Sequence, residues 1–110
     1  LSAIPYVHIQ GQDEHYYHTV FYLMLTASGV SVHTEVLTSR GRMDMAVETK
    51  DTVYVIELKC NQSAAEALKQ IKERGYPDRY RGSGRKVILL GINFDTHRRE
   101  VGDWKTEALT

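Results

Sequence analysis

The sequence predicts an α/β domain with one mixed β-sheet and helices on both faces, and three observations lead to this prediction. Thr52–Cys60 opens as a run of β-branched and aromatic residues, which is typical of a central strand buried on both faces. Lys86–Phe94 is a second, nearly continuous apolar run. A helix-forming stretch from Ser63 to Gly75 lies between them. A strand, a helix and a second buried strand in this order predict a parallel pair with a right-handed crossover.

Length and composition indicate one folded domain outside any membrane. The chain has 110 residues, which suffices for one hydrophobic core but not for two. No apolar run is long enough to cross a bilayer, and no signal peptide opens the chain. Cys60 is the only cysteine, so no internal disulfide can form, and a buried cysteine at a strand end is favoured over a reactive thiol. We therefore expect a cytoplasmic protein without a membrane partner.

The first part of the chain predicts a leading segment followed by a helix. Residues 1–12 show no periodicity, so we expect an extended segment from a preceding domain, with the single folded domain spanning residues 13–110. Asp13 is the expected N-cap of a helix that ends near Ala27, before Gly29. The helix is apolar on more than one face, which indicates a domain or subunit interface, and a homodimer is one form that this interface could take.

Three strands are expected next, joined as a meander. Val30–Leu37 and Arg42–Glu48 alternate apolar and polar residues, and Thr52–Cys60 is the central strand. The polar tripeptide Thr49-Lys50-Asp51 predicts a tight connection, so the second and third strands should form a hairpin.

The second helix has clear start and stop signals. Ser63 and Glu66 form a Ser-x-x-Glu capping box, and Gly75 supplies the stop. Its inward face carries small and apolar residues, which favour close packing on the sheet. These residues are Ala64, Ala67, Leu68 and Ile71.

The rest of the chain predicts a loop and two strands. Tyr76–Gly84 is polar and contains one proline and two glycines, which argue against regular structure. Lys86–Phe94 is the buried fourth strand, and Arg98–Lys105 is expected to be a short edge strand.

Two charged residues interrupt the central strand. Glu57 and Lys59 are two positions apart, so on a strand their side chains point to the same face. Buried charges are costly unless they pair with each other, a metal or a ligand. One interpretation is therefore a metal-and-water site, and the other is a structural ion pair at the fraying end of a strand. In the antiparallel hairpin Asp44 lies across from, or diagonal to, these two residues, so two carboxylates and one lysine converge.

An ordered set of motifs resembles the PD-(D/E)XK nuclease superfamily. The motifs are Gly41-Arg42-Met43-Asp44, Val55-Ile56-Glu57-Leu58-Lys59, Ser63-Ala64-x-x-Ala67-Leu68-x-Gln70-Ile71 and Gly75-Tyr76. More narrowly, the chain is similar to the bacterial branch found as the C-terminal domain behind an ATPase-like module, roughly from Glu14 to Trp104. Met43 stands where the superfamily's name-giving proline would precede the aspartate.

The resemblance implies a restriction-endonuclease-like core and a metal-dependent nuclease that hydrolyses phosphodiester bonds. Asp44 and Glu57, with the backbone carbonyl of Leu58, offer the hard oxygen ligands that Mg²⁺ or Mn²⁺ prefers. Lys59 would hold the attacking water and balance charge in the transition state. In relatives a glutamate on the first helix often joins the metal site, and Glu14 matches that position. The alternative for Glu14 is a first-turn carboxylate that complements the helix dipole.

Nucleic acid is the expected substrate, DNA in preference to RNA. Gln70 and Tyr76 match family positions that contact the substrate or the site, although a helix-edge polar residue and a packing aromatic would look the same. Arg42, Lys72 and Arg79 are candidate phosphate contacts. The last two belong to a stretch of cations and tyrosines between residues 69 and 86, which suits nucleic acid and a solvated surface equally.

Two alternatives remain open at this stage. A zinc site built on His15 and His18 would need a third ligand such as His33 or His8, and surface histidines are the favoured explanation. The second alternative concerns function. Because the formal net charge is zero, the same fold could be a non-catalytic module that binds nucleic acid or protein and is attached to an ATPase-like regulator.

Overall fold

The computed structural model describes residues 14–37 and 42–109 of the chain. In chain order its elements are helix α1 (Glu14–Ala27), strands β1 (Ser31–Leu37), β2 (Arg42–Glu48) and β3 (Thr52–Cys60), helix α2 (Ala64–Glu73), a 3₁₀ helix (Tyr76–Tyr80), and strands β4 (Lys86–Asp95) and β5 (Glu100–Ala108). The predicted leading segment, the cap at Asp13 and the Gly41 position lie outside the described residues. Within the described ranges no helix has the length and apolar character needed to cross a membrane.

The five strands form one mixed sheet in the order β1-β2-β3-β4-β5. Neighbouring strands are antiparallel except β3 and β4, which are parallel and are connected through α2. This arrangement confirms the predicted α/β class, the three-strand meander and the crossover helix. The parallel pair lies in the middle of the sheet, so β3 has a neighbour on either side.

Each face of the sheet has its own apolar core under a helix. On the α2 face, buried residues of the sheet pack with Leu68 and Ile71; they are Ala46, Val53, Val55, Val87 and Leu89. On the α1 face, Tyr17 joins Met45, Val47, Ile56, Leu58, Ile92 and Phe94. The rings of Tyr17 and Phe94 stack with their centroids 4.9 Å apart. Alternation along β3 therefore sends odd-numbered residues toward α2 and even-numbered residues toward α1.

The start of α2 is fixed to the sheet by polar contacts. Ser63 is the N-cap, and its Oγ accepts a hydrogen bond from the Glu66 N–H at 3.0 Å, as the capping box predicts. Asp103 Oδ2 on β5 accepts from the Ala64 N–H at 3.0 Å, and Asn93 Oδ1 on β4 accepts from the Gln62 N–H at 2.9 Å. The first two contacts satisfy N–H groups that a helix start leaves open, and the contacts with Asp103 and Asn93 fix the start of α2 to the sheet.

We expect Ser63→Ala to lower the free energy of unfolding by about 1 kcal/mol, because the Glu66 N–H loses its acceptor. Urea denaturation would measure this change. Ser31→Ala, at an exposed position on the edge strand β1, is the matched control and should change stability by no more than about 0.5 kcal/mol. Equal values for the two variants would show that the cap contributes little.

Two predicted stretches differ from the structure. Tyr76–Tyr80, predicted as part of an irregular loop, is a 3₁₀ helix. Gly75 is its N-cap at φ +64°, and Pro77 supplies a helical φ in its first turn. Asp78 accepts from Arg81 at 2.9 Å at the end of this turn. A helix of this length shows no hydrophobic periodicity, and the glycines of the segment favour a loop, so the sequence pattern did not indicate a helix.

The last strand is shifted along the chain. It was predicted at Arg98–Lys105 and runs from Glu100 to Ala108 instead. Arg99 has φ +57°, and the preceding turn is closed by Asp95, whose Oδ1 accepts from the N–H groups of His97 and Arg98. The Arg98 hydrogen bond holds the pKa of the Asp95 carboxyl below its ordinary value. The strand continues to Ala108 because the β4 backbone remains available for pairing along its length, and Ala108 pairs with Ile88.

Candidate active site

Among the side chains of the sheet that the structure describes, those of Glu57 and Lys59 are charged and fully buried, both 0% exposed. They lie on the α2 face of β3, as the alternation of Val53 and Val55 toward α2 requires. Glu57 is paired with Gly91 and Lys59 with Asn93, in a ladder that continues to Cys60. The two charges therefore lie inside a paired strand and not at a frayed end.

The strands β2 and β3 separate next to these charges. Their shared ladder runs from Glu48 and Val53 to Met45 and Ile56. Beyond that point β2 stays paired with β1, including the pair Glu35 with Asp44, while β3 stays paired with β4. The next residue beyond the shared ladder is Asp44 on β2 and Glu57 on β3. The two carboxylate positions predicted from sequence thus flank the point of separation, although the Asp44 side chain lies outside the described residues.

The backbone at Leu58 is directed into the same opening. Asp51 O accepts from the Lys86 N–H at 2.9 Å, and the Asn61 N–H donates to Phe94 O at 2.8 Å. Odd-numbered residues of this segment therefore direct their backbone groups toward β4, and even-numbered ones toward β2. By this alternation the Leu58 carbonyl points to the side where β2 and β3 have parted. This geometry fits the predicted role of that carbonyl as a metal ligand.

An arginine from the end of α2 reaches the buried carboxylate. Arg74 Nη1 donates to Glu57 Oε1 at 3.4 Å, and Arg74 Nη2 donates to Gln70 Oε1 at 3.4 Å. Gln70 and Arg74 are four residues apart on α2, so they share one side of the helix. The structure thus places Gln70 beside Arg74, and it places Arg74 against Glu57. In the sequence Arg74 is one of the cations between residues 69 and 86, and its spacing of four residues from Gln70 was a usable signal for this contact.

The remaining predicted site residues lie on other elements or on another side of α2. Lys72 is on a different side of α2 and pairs with Glu107 of β5 at 2.6 Å. Arg79 is exposed on the 3₁₀ helix. For three further candidates the structure gives the backbone position only: Arg42 begins β2, Glu14 begins α1 on the opposite face of the sheet, and Tyr76 begins the 3₁₀ helix.

The available donors fit a hard divalent cation. The carboxylate of Glu57 and the carbonyl of Leu58 are oxygen ligands of the type that Mg²⁺ and Mn²⁺ bind, and Asp44 would add a third. Among the side chains that the structure describes, no three His, Cys, Asp or Glu come together. Of the histidines considered for zinc, His33 lies 3.1 Å from Glu48 Oε2 at the other end of β2, while the side chains of His15 and His18 are not described.

A comparison with known proteins finds a family match that covers the elements of this candidate site. The sequence model of the PD-(D/E)XK nuclease superfamily matches residues 12–104. An uncharacterized protein in the vnfD 5′ region of Azotobacter chroococcum mcd 1 is 41% identical over 98 residues, which is 87% of this chain and 19% of that protein. The chain therefore spans about a fifth of the length of this curated relative. The matched residues include every element that forms the site.

Proposed function

The chain belongs to the PD-(D/E)XK nuclease superfamily, and we propose that it is a metal-dependent nuclease domain that hydrolyses phosphodiester bonds of nucleic acid, DNA in preference to RNA. Enzymes of this superfamily generally use divalent metals. One observation carries the proposal: Glu57 and Lys59 are both fully buried on one face of β3, at the point where β2 separates from β3. A buried carboxylate and a buried ammonium add little net stability even when they are paired, so their presence on one face of a central strand favours a functional site.

Three groups of this chain would hold the cation, Mg²⁺ or Mn²⁺. They are the carboxylates of Asp44 and Glu57 and the carbonyl of Leu58. A bound divalent cation polarises the scissile phosphate and lowers the pKa of a coordinated water. Glu14 is a further candidate ligand, and its position on the opposite face of the sheet favours its alternative role at the dipole of α1.

Lys59 would act on the reacting groups directly. Its side chain is fully buried on the α2 face of β3, and its ammonium group would donate hydrogen bonds to the attacking water and to the phosphate oxygens as negative charge develops on them. Gln70 contacts Arg74, and the role that we propose for Gln70 is to orient the substrate. Arg42, Tyr76, Arg79 and Lys72 would contact the nucleic acid outside this centre, where cations contribute affinity that depends on salt.

The cleavage assay that tests this proposal uses plasmid, single-stranded DNA and RNA with Mg²⁺ or Mn²⁺, and with EDTA as the metal-free reference. We expect Lys59→Met, which keeps the volume of the side chain, to lower the cleavage rate by about 10²- to 10⁴-fold. Lys50→Met, at an exposed position in the β2–β3 turn, is the matched control and should cleave at the wild-type rate. Cleavage by Lys59→Met at the control rate would contradict the role given to Lys59.

A second candidate function is an interaction module on the same fold. It is favoured by two large apolar side chains that are exposed, Leu23 of α1 at 58% and Trp104 of β5 at 64%. An ATPase-like domain of the same protein and a second copy of the chain are the partners that we propose for such a surface. The absence of cleavage of all three nucleic acids under every metal condition, together with a stable dimer, would favour this function over the nuclease.

The proposed substrate also bears on where the protein acts. Because a nuclease must meet nucleic acid, we propose a cytoplasmic location. Fractionation of cells followed by detection of the protein would test it, and recovery in the membrane or extracellular fraction would contradict it.

A further inference from the structure

The contact between Arg74 and Glu57 joins a fixed cation to the carboxylate that should bind a metal. Arg74 Nη1 lies 3.4 Å from Glu57 Oε1, and the Glu57 side chain is completely buried. We propose that Arg74 is an internal counter-cation that competes with the divalent metal for Glu57, so that metal binding requires the guanidinium to withdraw. This inference rests on the proposed function, since it assumes that Glu57 is a metal ligand.

Charge balance is the first argument for competition. An ionised carboxylate in a dry interior is strongly destabilised unless a positive group lies beside it. In the structure the guanidinium of Arg74 supplies such a charge at Oε1. A divalent cation bound to the same carboxylate would bring a second, larger positive charge within a few ångströms of the guanidinium. At that separation in a poorly solvated site, repulsion between the two cations is substantial, so one weakens the binding of the other.

The position of Arg74 at the end of α2 allows its guanidinium to rotate away from Glu57 toward solvent. Arg74 is the C-cap of α2, with φ −82° and ψ −11°, and Gly75 follows it. Its side chain is 19% exposed, so part of the side chain already borders solvent. The hydrogen bonds from Arg74 to Glu57 and to Gln70 are each 3.4 Å long, which is beyond the usual length of a strong charged hydrogen bond. Rotation outward keeps the cation near the carbonyl end of α2, where the helix dipole favours positive charge.

A positioning role for Arg74 would change the metal affinity in the opposite direction. If Arg74 holds Glu57 in the orientation that the metal needs, its removal should weaken metal binding. If Arg74 competes, its removal should strengthen binding and at the same time destabilise the metal-free protein, because the buried Glu57 loses a counter-charge. The two roles are therefore separated by the direction of change in metal affinity, without any measurement of catalysis.

The test is calorimetric titration of Mn²⁺ into the wild-type chain and into Arg74→Met, which keeps much of the aliphatic stem and removes the charge. We expect Mn²⁺ to bind the variant about tenfold more tightly, a coupling of ordinary size between two binding events. Lys69→Met removes one positive charge from an exposed position on the same helix and should leave the affinity within about twofold of wild type. Thermal unfolding should show a lower metal-free Tm for Arg74→Met and a larger rise with Mn²⁺.

Each result decides between the alternatives. Binding to Arg74→Met that equals or falls below the wild-type affinity overturns the competition and leaves the metal site standing. No Mn²⁺ binding by either protein, with nucleic acid present as well as absent, overturns the metal site and the competition together. If Arg74→Met fails to fold, Arg74→Gln provides the decision, because its neutral amide can still donate to Glu57, and it should also bind Mn²⁺ more tightly than wild type.

Discussion

Glu57→Gln should lower metal-dependent cleavage by about 10³-fold or more. The substitution keeps the size of the side chain but removes the negative charge that a divalent cation requires, and metal stabilisation of transition-state charge is worth several kcal/mol. The metal-free protein should remain folded, because Arg74 borders solvent and can leave a neutral glutamine. The cleavage rate at saturating Mn²⁺ measures the loss of activity, and thermal unfolding of both proteins shows whether the variant remains folded.

The control for this variant is Glu73→Gln. Glu73 is the last residue of α2 and is exposed, so its neutralisation changes the net charge equally without touching β3. It should cleave at the wild-type rate. If Glu57→Gln and Glu73→Gln cleaved equally well, Glu57 would be a structural partner of Arg74 and not a metal ligand.

Gly91→Ala should be strongly destabilising, although it adds only one methyl group. A Cβ at this position would lie 2.6 Å from Ala64 O, 3.0 Å from Ala67 Cβ and 3.1 Å from Leu68 N. Two of these neighbours are backbone atoms of α2, which cannot rotate away, so the helix must shift from the sheet. Overpacking of this kind typically costs about 1–3 kcal/mol. The free energy of unfolding from urea denaturation measures the effect.

Gly102→Ala is the matched control, since a Cβ there would meet its nearest neighbours at 3.5 Å, an ordinary contact. Gly91 is also the partner of Glu57 across β3 and β4, and the displaced helix carries Gln70 and Arg74. We therefore expect Gly91→Ala to reduce cleavage as well as stability, while Gly102→Ala changes both little. Equal stability of the two variants would show that α2 packs on the sheet less closely than the structure indicates.

Local sequence patterns were sufficient for most of the elements. The alternation in β2, the continuous apolar runs of β3 and β4, and the capping box of α2 each act within a few residues, so they could be read without tertiary information. The same period of two correctly placed Glu57 and Lys59 on one face of β3. The prediction that Asp44 joins them as a ligand remains a prediction, because the structure describes its backbone pairing and not its side chain.

Features that depend on the meeting of distant segments could not be predicted in this way. The contact of Arg74 with Glu57 requires the height and direction of α2 over β3, which are set by Gly91, Asn93 and Asp103. The separation of β2 from β3 next to Glu57 is likewise a property of the whole sheet, since each strand leaves its partner while staying paired on its other side.

Calorimetric titration of Mn²⁺ into the wild-type chain and into Asp44→Asn, with nucleic acid absent and then present, tests the proposed metal site most directly. Asp44 and Glu57 are the first residues beyond the shared ladder of β2 and β3, and we propose that their carboxylates bind one cation together. We expect the wild type to bind Mn²⁺ and Asp44→Asn, still folded by thermal unfolding, to bind none. Mn²⁺ binding of equal affinity in the two proteins, or none in the wild type under either condition, would contradict this proposal.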